Sequence, residues 1–168
     1  MSKNDDRIIR FTGLKPGIYD YEFLLDDTFF EGCENEEIKG GKVSFDVKME
    51  RNERVTMFTF AFKGEVKTAC DRCLGEMTVP VDGEEHLHVR FSDTEKSDDE
   101  DTVVLPEDAN EIYLTQWLYE YVAVRIPLQH SHPEGECDPD MVKFLDDGEQ
   151  QRDGDYTDPR WDALKELK

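Results

Sequence analysis

Long apolar runs are missing from this 168-residue chain: none approaches the roughly 20 residues that span a bilayer. The opening, MSKNDDRIIRFTGL, has no basic stretch followed by an apolar one, so no secretory signal is expected and the cytoplasm is the default compartment. Cysteine is sparse. Cys33, Cys70, Cys73 and Cys137 are too few for the dense disulfide framework of a small secreted domain. Positive charge is scarce too, with 20 Lys plus Arg against 41 Asp plus Glu and a net charge of −21. Such a polyanion repels nucleic-acid phosphates and anionic membranes and favours cationic partners. Also absent are a G-x-S-x-G elbow, a Walker loop, a G-x-G-x-x-G and an H-E-x-x-H, so no familiar catalytic signature is present.

What is there begins as β structure. Ile18 to Phe23 alternates loosely, and Asp26 or Asp27 can cap a short helical turn through Phe29 and Phe30 before Gly32. Val43, Phe45, Val47 and Met49 take every second position between Lys42 and Glu50, which is the clearest strand. A polar connection at 51–54 leads to a longer strand from Val55 to Val66. A further strand pair is expected at Met77–Val81 and Glu85–Phe91. In the latter His86, His88 and Arg90 share one face. These histidines could chelate a metal, but ordinary exposed strand positions explain them more simply.

Residues 92–101 hold six acids and no apolar side chain, and read as a solvated loop. Within it Asp98, Asp99, Glu100 and Asp101 form a candidate docking site for a basic partner. Glu111-Ile112-Tyr113 suggests a short strand. Leu114, Trp117, Leu118, Tyr121 and Val122 then recur at helical spacing, with Thr115 as a cap and Pro127 beyond the end. The stripe is most simply core, although Trp117 or Tyr121 could stack a base. Met141–Leu145 is a short apolar island. Asp158-Pro159 opens a last helix with a Trp161, Leu164, Leu167 stripe. The expected class is α+β: an antiparallel, partly barrel-like sheet with one main packing helix and short C-terminal helices. Residues 1–145 form the domain, and 146–168 an acidic linker with a short docking helix.

Cys70-Asp71-Arg72-Cys73 is a C-x-x-C, a spacing that lets two thiolates face one tetrahedral Zn²⁺. The segment from His130 to Cys137 offers His130, His132 and Cys137. Cys70, Cys73, Cys137 and one histidine would complete a Cys₃His set, with His132 preferred and His130 the alternate. Such a set leaves no coordination position open, so the zinc would be structural, pinning a distant loop onto the sheet. Reduced cysteines and surface histidines are the plain alternative. A thiol oxidoreductase using Cys70 and Cys73 would need a helix N-terminus in a βαβ setting, which the antiparallel pattern does not offer. Cys33 has no partner in sequence.

The ordered set resembles a known family. It comprises Cys70-Asp71-Arg72-Cys73-Leu74, a hydrophobic strand, an acidic loop, a helix from Ile112-Tyr113-Leu114 to Ile126-Pro127-Leu128, a Cys/His loop, and Asp158-Pro159-Arg160-Trp161 with Leu164 and Leu167. Together these resemble the bacterial and plastid YceD family, also described as domain-of-unknown-function family 177 or large ribosomal RNA subunit accumulation proteins. The resemblance implies a non-enzymatic role in accumulation, processing or stability of large-subunit ribosomal RNA. Many members carry a second cysteine pair after the helix; here Cys137 is retained and a histidine must replace the other cysteine. With the charge, the resemblance implies binding of a basic ribosomal protein or assembly intermediate. The alternative is direct RNA binding through Arg7, Arg10, Lys39, Lys42, Lys48, Arg51, Arg54, Lys63 and Lys67 in the less acidic N-terminal half.

Overall fold

The computed structural model describes residues 7–11, 13–33, 37–52, 55–94 and 101–150, and for 146–150 the backbone alone. The elements run β1 (Ile8–Arg10), β2 (Gly17–Leu25), α1 (Asp27–Glu31), β3 (Gly40–Arg51), β4 (Val55–Ala69), β5 (Glu76–Phe91), β6 (Thr102–Leu105), β7 (Glu111–Tyr113), α2 (Thr115–Ala123) and α3 (Pro139–Gln150). Two compact units divide the chain. One holds Met1–Thr68 and Thr78–His130, the other Ala69–Met77 and Ser131–Lys168. The C-terminal stripe of Trp161, Leu164 and Leu167 lies outside the described residues.

In the first unit the alternation of β3 sets the sheet. Val43, Phe45, Val47 and Met49 are buried while Lys42, Ser44, Asp46 and Lys48 are exposed. The antiparallel register places Phe45 opposite Phe62, Val47 opposite Phe60 and Met49 opposite Phe58. Each of these side chains contributes about 1.5–3 kcal/mol on full burial. The rings of Phe45 and Phe62 stack at 4.8 Å. Five strands form one sheet in the order β2-β3-β4-β5-β6, and β1 pairs with β7 in a second, two-stranded sheet.

The α+β class and the main packing helix agree with the sequence reading, and three details differ. The β5–β6 pair is parallel, His88 lying beside Thr102 and Phe91 beside Leu105. The sheet is therefore mixed, with an open strand order and no closed barrel among the described residues. The expected pair at Met77–Val81 and Glu85–Phe91 is one continuous strand. Gly83 marks a close approach there, not a turn: a Cβ on it would lie 2.8 Å from Arg125 Nε and 3.0 Å from Phe62 Cζ. Arg125 in turn pairs with Glu85. Thr115 is the first helical residue of α2, and the cap position belongs to Leu114, without a side-chain cap.

In α2, Leu114, Leu118 and Val122, followed by Ile126, are buried at four-residue intervals. Tyr121 and Trp117 are half-buried, and the Tyr121 ring packs on Phe60 at 5.1 Å. For α1 the expectation of an acidic cap holds: Asp26 Oδ1 accepts from the Phe29 N–H, and Gly32 ends the helix.

Gly64 faces Val43 across the β3–β4 ladder, and a Cβ on it would lie 2.6 Å from Val43 Cα. The obstacle is backbone and cannot swing aside. Gly64→Ala should lower stability by about 1–3 kcal/mol, read as a lower urea midpoint with an unchanged slope.

Candidate metal centre

The second unit gathers the sulfur chemistry. Cys70 follows β4 and Cys73 lies three residues on, in a turn closed by Cys70 N–H to Gly75 O at 2.8 Å and Leu74 N–H to Cys70 O at 2.9 Å. Leu74 has φ of 59°, a left-handed conformation that costs a branched side chain energy and is found where a site imposes it. Its side chain is exposed, so its backbone conformation, not its packing, serves the turn. Cys70, Cys73 and Cys137 are all buried, with Met77 and Val142 packed against them.

Cys70, Cys73, His132 and Cys137 each point one ligand atom into this cluster, and those atoms lie within 4.8 Å of one another. Cys70 Sγ is 3.9 Å from Cys137 Sγ, and His132 Nδ1 is 3.3 Å from Cys73 Sγ and 3.9 Å from Cys137 Sγ. Zn–S bonds of about 2.3 Å and Zn–N bonds of about 2.0–2.1 Å imply tetrahedron edges of about 3.8 Å (S to S) and about 3.5 Å (S to N). The spacing fits a Cys₃His zinc. His132 Nε2 lies 3.2 Å from Glu76 O. An Nε2–H donated to that carbonyl leaves the Nδ1 lone pair facing the sulfurs, the outer-shell arrangement of metal-binding histidines.

The electrostatics favour thiolate at Cys70 and Cys73. Burial alone would raise the Cys70 pKa, but N–H groups of Cys73, His132 and Arg72 donate to its sulfur and bring it down to about 6. Cys73 is lowered by the N–H groups of Asp138 and Gly75. Cys137 is raised, first by burial and then by the neighbouring sulfurs. His132 is raised, chiefly by its bond to Cys73. Sequence reasoning named the donors but missed the amides that serve them, because backbone direction in a six-residue turn leaves no trace in residue types.

The other sequence candidates fall elsewhere. His130 turns its ring to Thr68 Oγ1 at 3.2 Å and Pro127 O at 2.9 Å. His86 bonds Thr59 and sits 3.6 Å from Glu84. Cys33 Sγ donates to Phe29 O. Asp101 is exposed in the turn just before β6, while Asp98, Asp99 and Glu100 lie outside the described residues. Several cations of the basic patch are already engaged: Arg7 over the Phe29 ring, Arg10 with Glu111, Lys48 with Glu50, Lys67 with Asp27, and Arg51 with Phe11 O. Arg54 is outside the described residues.

The class is α+β, with Cys70, Cys73, His132 and Cys137 close enough together to hold one metal ion, and among the described residues no helix is long and apolar enough to cross a membrane. The chain belongs to the YceD family: residues 58–168 match the family described as Large ribosomal RNA subunit accumulation protein YceD. No curated protein and no solved structure matches it. The matched region contains all four residues of the cluster.

In metal-free protein, thiolate absorbance should show its first transition near pH 6, and Cys70→Ser should remove it. The folded-state pKa of Cys70 lies below the ordinary thiol value. Its stabilising contribution is therefore full above the ordinary thiol range and disappears as pH falls through about 6. A first transition unchanged in Cys70→Ser would assign the acidic thiol to another residue.

Proposed function

We propose that this chain is a non-enzymatic cytoplasmic factor that supports accumulation, processing or stability of large-subunit ribosomal RNA by binding a basic ribosomal protein or an assembly intermediate. Membership of the YceD family over residues 58–168 carries the reading. The net charge of −21 turns it from RNA towards a cationic protein, since a polyanion meets phosphates with repulsion and Lys/Arg-rich segments with attraction. The engaged state of Arg7, Arg10, Lys48, Arg51 and Lys67 weighs the same way against a direct RNA grip. Asp98, Asp99, Glu100 and Asp101 would add an acidic contact to the partner.

Cys70, Cys73, His132 and Cys137 would hold a structural zinc. Four protein donors fill a tetrahedron and leave no place for water or substrate. The acidified Cys70 favours this role over thiol exchange: its sulfur is fully buried, out of reach of a substrate disulfide, and the amide donors that stabilise its thiolate suit a metal-bound one.

Protein tagged and captured from its own cells at low and moderate salt should carry large-subunit proteins or precursor ribosomal RNA above an acidic control. The protein component should survive RNase. An eluate with neither would remove the ribosomal assignment. Separately, elemental analysis should find one zinc per purified chain, lost with unfolding in Cys73→Ser; a metal-free chain of unchanged thermal stability would rule the zinc out.

A further inference from the structure

We infer that the open edge of β2 is a strand-addition site for an extended, cationic polypeptide segment, a proposal that rests on the reading of a basic protein partner and says where it binds. Among the described strands β2 ends the sheet order and pairs on one side only, with β3. Its register is unbroken from Gly17 opposite Arg51 to Leu25 opposite Val43. Among the described residues, Gly17–Leu25 makes no backbone hydrogen bond beyond that ladder. Sheet edges are ordinarily protected by shortness, charged side chains, a proline, a bulge or an inward-pointing charge. β2 is nine residues long, GIYDYEFLL, and of these devices has only the exposed carboxylates of Asp20 and Glu22. On its core side Tyr19, Tyr21 and Phe23 oppose Met49, Val47 and Phe45 yet remain half-buried, so a further strand has apolar surface to cover.

Charge selects the occupant. Glu22 lies directly opposite Asp46, both are exposed, and neither is ion-paired among the described residues. Asp20 lies opposite Lys48, but that ammonium sits 3.0 Å from Glu50. Like charges facing each other across a ladder destabilise it, and a Lys or Arg beside Glu22 reverses the sign. A second copy of this chain is the wrong partner: two-fold pairing about Tyr21 would set Asp20 against Glu22 of the other copy, between molecules of −21 each. Extended segments add to sheet edges through main-chain bonds, with alternate side chains supplying specificity. The matching segment has Lys or Arg at every second position and apolar residues between. At the end of the strand lies a cavity of about 420 Å³ bordered by Glu22, Leu24, Asp26 and Phe29, with the Arg7 guanidinium already over the Phe29 ring.

The test uses the full chain, a nine-residue peptide alternating lysine and valine, and its glutamate–valine counterpart. Amide exchange should slow within Gly17–Leu25 on adding the lysine peptide and not the glutamate peptide. Affinity should fall about tenfold or more in the double variant Asp20→Lys, Glu22→Lys, whose β3–β4 amides should stay protected as in wild type. Protection at 93–101 instead, equal binding by the variant, or β2 protection in peptide-free protein at dimerising concentration would each overturn the site. Capture from cells separates this from the wider reading. Large-subunit proteins retained equally by the variant would remove the edge and leave the assembly role. None retained by wild type, with β2 protected by the peptide, would do the reverse.

Discussion

Everything in the first unit depends on the pairing of β3 with β4. A side-chain period of two means that slipping β3 by one residue against β4 would carry Val43, Phe45, Val47 and Met49 from the core to water, away from the face on which Phe58, Phe60 and Phe62 lie. The register is therefore held by several large side chains at once. Gly64 sharpens it, because only a residue without a Cβ fits beside the Val43 backbone. With that pair in place β2 and β5 add on either side, and Tyr121 of α2 finds the Phe60 ring.

Strand periodicity made this part legible in sequence. Alternation over β3 is unambiguous, β4 reads as a longer, more apolar strand, and Leu114, Leu118 and Val122 spell a helix face. The failures share a cause: the meaning of a residue was set by a neighbour distant in sequence. Asp82-Gly83 has the composition of a turn, but Gly83 is required by Phe62 and Arg125. Thr102–Leu105 followed an acidic stretch, and nothing local told that it would run parallel to β5. Thr115 resembles a cap in sequence, yet Leu114 occupies that position because the backbone enters the helix one residue earlier.

In the cluster, chemistry was legible and orientation was not. Three cysteines and a nearby histidine are readable as donors from their spacing. The choice between His130 and His132 depended on which ring faces the sulfurs. That in turn depends on the carbonyl of Glu76 for one ring and on Thr68 with Pro127 for the other. Hydrogen bonds of this kind join positions about 60 residues apart. They follow from the fold and could not precede it.

The β1–β7 sheet has a kinetic consequence. Ile8 pairs with Tyr113 and Arg10 with Glu111, whereas β2–β3 and β3–β4 join neighbours in the chain. Contacts between near neighbours close small loops and form early; those across about 100 residues carry the larger entropy of closure and form late. Among the described strands Ile8–Arg10 is the earliest in the chain, and as synthesis proceeds it has no β7 to pair with until Glu111–Tyr113 has been made.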